Sequence, residues 1–425
     1  MSACTEYDLV VVGAGMAGLA AAATARAVGA EVLVLEARER TGGRVDTRTL
    51  GSGAVELGAQ VLHGSSNCLL RLCGPGEAVE VDRGDIVTGL LDGRGRPRAF
   101  SDTDQEFCSP TVMAARLRAL AAHLGPMADA MTLESVLALL RASPLTEEAL
   151  RSWYEQVTGA DAASVPLAEI CSQRVYQYHG DREHVVPGGL YALVARLSLD
   201  LEVRLSWVAS RVVPTGAGVM VEGSVAGTAA VVTARACVLT VPPPVVGSGA
   251  LRVEGMSEQQ WRAAQALRMA DAVAVVVPLA APAPHAGFLF DVAGGLGFVS
   301  WRRGEEHLTV ISKGGSAPRL RSAAARPDGV RAAVVAALPW AAPSEARADL
   351  LHDWGSDPFA GGAFTAPSAS MVTQSALWRA PVGGRVFLAG EATDCASGSP
   401  FLDRAFSTGV AAARQALALV PVGSP

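Results

Sequence analysis

Three glycines, Gly13, Gly15 and Gly18, follow the aliphatic run Leu9 to Val12 and open an alanine-rich stretch. Gly13 permits a tight turn, Gly15 lets the backbone approach a pyrophosphate, and Gly18 lets the next helix pack close to the strand. The amides and dipole at that helix's N-terminus then face the phosphates. Glu36 closes the next aliphatic run, at about the 20-residue spacing from which a carboxylate reaches an adenosine ribose. A second glycine pair with an arginine follows at Gly42-Gly43-Arg44. A nicotinamide nucleotide does not need that loop. FAD does, because it lies extended and its pyrophosphate and ribityl chain pass there. The fork of Arg44 suits phosphate charge.

These residues need a strand over 8–12, a helix over 16–28 and a second strand over 31–35, an opening βαβ unit. Residues 100–180 read as mostly helical, with runs at 111–124 and 133–142 broken by Pro110, Pro126 and Pro144. Short apolar pieces at 203–205, 219–221, 229–232 and 237–241 read as a small antiparallel sheet returning to the main one, closed by Pro242-Pro243-Pro244. Strands at 272–278, 287–292, 296–301 and 307–312 follow, then a helix over 329–338, a strand over 385–389 and a last helix from 402 to 419. The chain reads as α/β, with two interleaved domains: a cofactor-binding domain from 1–82, 185–245 and 376–425, and a mixed α+β substrate domain from 83–184 and 246–375.

The chain has 425 residues, 50% hydrophobic and 18% charged, so a large core is available. A net charge of −6 gives no basic face for nucleic acid or anionic membrane. Seven scattered cysteines without a Cys-x-x-Cys pair suit a reduced cytoplasm and make structural zinc unexpected. The N-terminus has no basic leader, and its apolar stretch is accounted for by strand and helix. Lys313 is the only lysine; with the abundant alanine, this points to a GC-rich bacterial genome. A homodimer is compatible with the chain.

The landmarks resemble, in order and over nearly the whole chain, the flavin-containing amine oxidases, which include monoamine and polyamine oxidases. Besides Gly13 to Arg44 they are Glu56 to Gly64, Pro187-Gly188-Gly189, Val208, Leu239 to Pro242, Trp354 to Phe364, and Leu388 to Thr393. The resemblance implies a two-domain fold with a Rossmann-type FAD domain. It implies that Glu36 binds the adenosine ribose and that Arg38, Gly43 and Arg44 line the pyrophosphate. Ala59 and Gln60 would pass the flavin ring, Val208 would pair its backbone with adenine, and Trp354 would pack beside the ring system. Glu391 would hold the ribityl–pyrophosphate region, and the amide of Leu402 would meet the flavin pyrimidine. The alternative readings are a solvated surface charge for Arg38 and core positions for Val208 and Trp354.

Four departures bear on chemistry. The family's covalent cysteine position carries Ala363, so noncovalent FAD is expected. The two aromatic positions flanking the flavin carry Phe364 and Phe401 instead of tyrosines, keeping the ring faces and losing both hydroxyls. The family lysine near flavin N5 is absent from the strand start Ala270-Asp271-Ala272. Lys313 falls in another landmark, leaving Asp271 as a substitute or as a solvated strand-edge group. No arginine for a substrate carboxylate follows Leu57-Gly58-Ala59; His63 stands in that landmark, as a polar contact or a structural residue. The expected activity is oxidation of a C–N bond of an amine or amide-like small molecule to an imine, by hydride transfer to flavin N5 with dioxygen as acceptor. Its expected setting is specialised metabolism such as antibiotic biosynthesis. The alternatives are a flavin dehydrogenase or desaturase of a larger metabolite and, from another class, a non-catalytic flavin scaffold. Specificity is expected from 100–180 and 287–312, with Tyr176, Tyr178, Phe288, Phe290 and Trp301 as candidates.

Overall fold

The computed structural model describes residues 7–51, 53–81, 86–91, 97–101, 110–140, 143–167, 182–291, 296–396 and 401–419. Tyr176 and Tyr178 lie outside them.

In strand Tyr7–Val12 the residues Leu9 to Val12 are a buried apolar run because both faces are covered there, the usual condition of a parallel strand. It pairs in parallel with Val32–Leu35 on one side and with Thr228–Leu239 on the other. The eight-stranded sheet runs Glu202–Arg204, Val32–Leu35, Tyr7–Val12, Thr228–Leu239, Val219–Val225, Trp207–Pro214, Arg252–Val253, and Val386–Leu388 also pairs with Thr228–Leu239. Val12 is level with Leu35 and with Leu239, and Leu239 with Leu388. The chain therefore leaves four parallel strands at one edge, where Gly13, Glu36, Thr240 and Gly390 gather. Ligands of doubly wound sheets bind at that carboxyl edge.

The pieces expected at 229–232 and 237–241 are one strand, Thr228–Leu239. Its first part pairs antiparallel with Val219–Val225 and its second in parallel with Tyr7–Val12, and Ala234 pairs on both sides. The polar run Thr233-Ala234-Arg235 hides this continuity from an apolar count. Trp207–Pro214 is also a strand; its alternating exposure leaves no apolar run to find. One face of the sheet is closed by helices Met16–Arg26 and Leu402–Leu417, which cross so tightly that a Cβ at Gly409 would lie 2.1 Å from the Ala17 carbonyl oxygen. The core of the other face takes in Val246, Leu251, Ala263 and Trp378.

A seven-stranded sheet runs Leu350–Asp353, Ala272–Pro278, His307–Lys313, Phe298–Trp301, Ala286–Asp291, Ile86–Leu91, Pro97–Ala99. Its side chains alternate. Val273, Val275, Leu289, Val299, Trp301 and Val310 pack into a core on one side. Ala272, Ala274, Phe288, Phe290, Phe298, Ser300, Ile311 and Lys313 line a cleft. The helices Pro110–Leu124, Leu133–Leu140 and Pro144–Thr158 form a further core, which Phe364 joins at its margin.

Candidate active site

One cavity of about 1890 Å³ runs from the carboxyl edge of the eight-stranded sheet to the aromatic face of the seven-stranded sheet. A drug-sized ligand fills roughly 300–1,000 Å³, so this cleft has room for an extended dinucleotide and a substrate together. Apart from Gly18, which packs behind the turn, the residues expected at the cofactor all line it: Gly13, Gly15, Glu36, Arg38, Gly43, Arg44, Ala59, Gln60, Val208, Trp354, Glu391 and Leu402. His63, Phe364 and Phe401 line it as well.

The glycines are needed for two different reasons. A Cβ on Gly18 would sit 1.9 Å from the Gly13 carbonyl oxygen, so this glycine lets the helix touch the turn. A Cβ on Gly15 would meet nothing nearer than Gly43 Cα at 3.8 Å. The side chain missing there leaves open the cleft, and backbone amides at a helix start face into it. Glu36 is buried, and its two oxygens accept the Ala14 amide at 2.7 Å and the Arg38 amide at 2.9 Å. These bonds aim the carboxylate while leaving lone pairs for a ribose. The cradle fits FAD.

Both arginines also have partners within the protein. Arg38 is no solvated charge: its Nη2 donates to Asp357 at 2.6 Å, and its side chain is 14% exposed. Arg44 Nη1 donates to Glu391 Oε1 at 2.8 Å and to the Ala363 carbonyl at 3.0 Å. Glu391 accepts a second bond from Thr365 Oγ1 at 2.7 Å. Arg44 is thus compensated within the protein and ties the Gly42-Gly43 loop to the segment bearing Ala363 and Phe364. Trp354 is buried, with Nε1 donating to the Leu57 carbonyl at 2.7 Å. Val208 is exposed at the cleft rim.

At the substrate end, the His63 ring stacks on Phe401 with centroids 4.1 Å apart, and its Nδ1 lies 3.2 Å from Glu183 Oε1. Phe401 is the N-cap residue of helix Leu402–Leu417, and Phe401, Leu402 and Ala405 line the cavity. Phe364 is hung on the strand start opposite, its carbonyl accepting the Ala270 amide at 2.7 Å.

Lys313, expected away from the site, lies in it. It is the direct antiparallel partner of Ala272, so the two side chains share a face. Its ammonium donates to the Gln156 carbonyl at 2.7 Å and stands 4.9 Å from the Phe298 ring and 5.5 Å from the Phe364 ring. Burial pulls its pKa down to about 8. Lys313 is half-buried, and what it exposes opens on the cleft. The sequence carried one signal for it, its being the only lysine of the chain. Asp271 does not substitute: it is bound by Arg321 at 2.6 Å. Of the specificity candidates, Phe288, Phe290 and Trp301 all line the cleft, and Trp301 also packs into the core that holds Trp340.

Glu56 also lines the cleft. Burial raises its pKa to about 7, although the Leu190 amide and Thr47 hydroxyl donate to it. No group of His, Cys, Asp and Glu among the described residues is arranged to hold a metal ion.

The chain belongs to the flavin-containing amine oxidoreductase family, whose sequence model matches residues 16–417. Polyamine oxidase 4 of Oryza sativa subsp. japonica is 25% identical over 460 residues, covering 96% of this chain and 88% of that protein. Lysine-specific histone demethylase 1 homolog 2 of Arabidopsis thaliana is 53% identical over 64 residues, which span 14% of this chain and only 9% of the relative. In fold, the chain is similar to cyclohexylamine oxidase from Brevibacterium oxydans IH-35A, with a TM-score of 0.75 and 22% identity over 97% of this chain and 99% of that one. FAD is accordingly its cofactor.

Proposed function

We propose that this oxidoreductase converts a C–N bond of an amine or amide-like small molecule to an imine, the bound FAD taking a hydride at N5 and dioxygen leaving as hydrogen peroxide. The observation that carries the reading is the continuity of the FAD cradle with a chamber holding Phe364, Phe401, His63 and Lys313. Phe288, Phe290 and Phe298 favour a substrate with a bulky apolar body, since each buried ring adds apolar contact. The ammonium of Lys313 disfavours a second cation beside it, so the amine enters neutral, and no side-chain base is needed. The same charge stabilises negative charge that develops as dioxygen is reduced. Phe364 and Phe401 orient the substrate by their faces, and the stacked His63 supplies a polar contact held by Glu183.

Ala363 offers no thiol, which supports noncovalent attachment; acid precipitation is expected to leave the flavin in the supernatant, and flavin in the pellet would overturn this. We assign the eight-stranded sheet side to cofactor binding and the seven-stranded sheet side to substrate. Cys68, Cys73 and Cys237 are free thiols, which supports a cytoplasmic setting, with specialised metabolism as the role. No described helix is long and apolar enough to cross a membrane.

The test is anaerobic mixing of holoenzyme with cyclohexylamine, benzylamine and putrescine, followed by air. Bleaching of the flavin band, recovery in air and peroxide are expected, strongest with the cyclic and aromatic amines. Bleaching with slow recovery would favour a dehydrogenase. A flavin that none of a wider amine panel reduces would point to a scaffold.

A further inference from the structure

His352 stands on Leu350–Asp353, the edge strand of the seven-stranded sheet. Its Nδ1 lies 2.7 Å from Asp46 Oδ2 and its Nε2 3.0 Å from Asp357 Oδ2. Little of this cluster reaches solvent: side-chain exposure is 15% for His352, 1% for Asp46 and 9% for Asp357. A neutral imidazole has one N–H, and its other nitrogen would present a lone pair to a carboxylate. Two carboxylates at both nitrogens require the imidazolium. The ring also lies flat on Trp354, with centroids 3.7 Å apart and planes 13° from parallel, a favourable seat for a cation.

The neighbouring charges alternate. Arg48 Nε donates to Asp46 at 2.7 Å, and Arg40 Nε stands 3.6 Å from it. Arg38 holds Asp357 at 2.6 Å, and its other terminal nitrogen is 3.9 Å from Glu36. Asp353, the next residue on the strand, is taken by Arg321 at 2.6 Å, which also holds Asp271. Asp357 further accepts the Phe359 and Ala360 amides, fixing the turn after Trp354.

We propose that His352, as an imidazolium, is the positioning residue that fastens the ribose carboxylate's arginine, the loop running from Gly42-Gly43 to Asp46 and the Trp354 turn to the substrate sheet, so that FAD retention follows the protonation of this one ring. The inference rests on the FAD reading. Burial by itself lowers the His352 pKa, but the bonds to Asp357 and Asp46 outweigh it and raise it above its ordinary 6.5. A raised folded-state pKa means that the fastening is complete below the ordinary value and is lost as pH rises through the raised one. The acid side is protected, because burial of Asp46 is outweighed by its bonds to His352 and Arg48, which hold its pKa at about 2.

Release of FAD from diluted holoenzyme, followed by free-flavin fluorescence between about pH 6 and 10, tests this. Wild-type release should quicken about tenfold across the window, an ordinary size for coupling between a charged group and a ligand site. His352→Gln should release FAD at the faster rate throughout and show no step. Asp46→Asn, which keeps the ring but removes one carboxylate, should move the step to lower pH. In ¹⁵N-histidine-labelled holoenzyme near pH 7, the signal that His352→Gln deletes should report two protonated ring nitrogens. A neutral ring there, or identical release profiles for wild type and Asp46→Asn, would overturn the proposal. A wild-type protein that binds no FAD would instead sink the flavin reading.

Discussion

Lys313 matters at the scale of single residues because, among the described residues, its ammonium donates to a backbone carbonyl and no carboxylate is paired with it. A cation so placed acts on whatever develops negative charge in the cleft. Lys313→Met keeps the chain length and removes the charge. The expected result is reoxidation of the reduced flavin by dioxygen slowed at least ~10-fold, with anaerobic bleaching by amine much less affected. The wild-type reoxidation rate should fall as pH rises through about 8, where Lys313 loses its proton, and the variant should show no such fall. Stopped-flow mixing with oxygenated buffer reads both, and an unchanged reoxidation rate in Lys313→Met would remove the residue from this role. Arg38 and Arg44 carry the complementary lesson. Each is paired within the protein, so their first task is to hold loops in place, Arg38 at the Trp354 turn and Arg44 at Ala363.

At the scale of elements, the cradle depends on backbone contacts that only glycine allows. Gly18→Ala would push a methyl group against the Gly13 carbonyl, a backbone atom that cannot swing aside. It is expected to cost about 1–3 kcal/mol of stability and to yield mostly apoprotein. Gly216→Ala is the contrast, since an added Cβ there meets nothing within 4 Å; its effect should stay within about 0.5 kcal/mol. Denaturant melts and the flavin-to-protein absorbance ratio check the pair, and a fully loaded, undiminished Gly18→Ala would refute the packing argument. Pairing of Ala272 with Lys313 shows a second property of elements. A charge can enter one place in a cleft from either of two adjacent strands, because opposite residues of an antiparallel pair share a face.

At the scale of the whole molecule, one cavity is walled by both sheets, and the contacts that close it join distant parts of the chain. Arg44 meets Glu391, Arg38 meets Asp357, and His352 meets Asp46. FAD bound in that seam stabilises the folded state only, so the unfolding midpoint should climb with FAD concentration, by the equivalent of about 2.7 kcal/mol at a hundredfold excess over Kd. Scanning fluorimetry of apoprotein titrated with FAD measures this. A midpoint unmoved by FAD would mean that the seam is not where the cofactor binds.

The sequence alone carried the α/β class, the opening βαβ unit and the cofactor. Those follow from local chemistry, glycine turns after buried aliphatic runs with a carboxylate in step, which needs no knowledge of distant contacts. It also carried Ala363, Phe364 and Phe401 as departures, because a landmark shows its residue types directly. The continuous strand Thr228–Leu239 stayed hidden because its polar middle interrupts the apolar run. The placing of Lys313, which the sequence marked only as its one lysine, and the charge of His352 stayed hidden for a stronger reason. Lys313 lies at the cleft only because strand register sets it opposite Ala272, and His352 is charged only because folding brings two carboxylates to its two nitrogens. Strand pairing and long-range charge contacts are decided when the tertiary structure closes, and the residue types alone do not encode them.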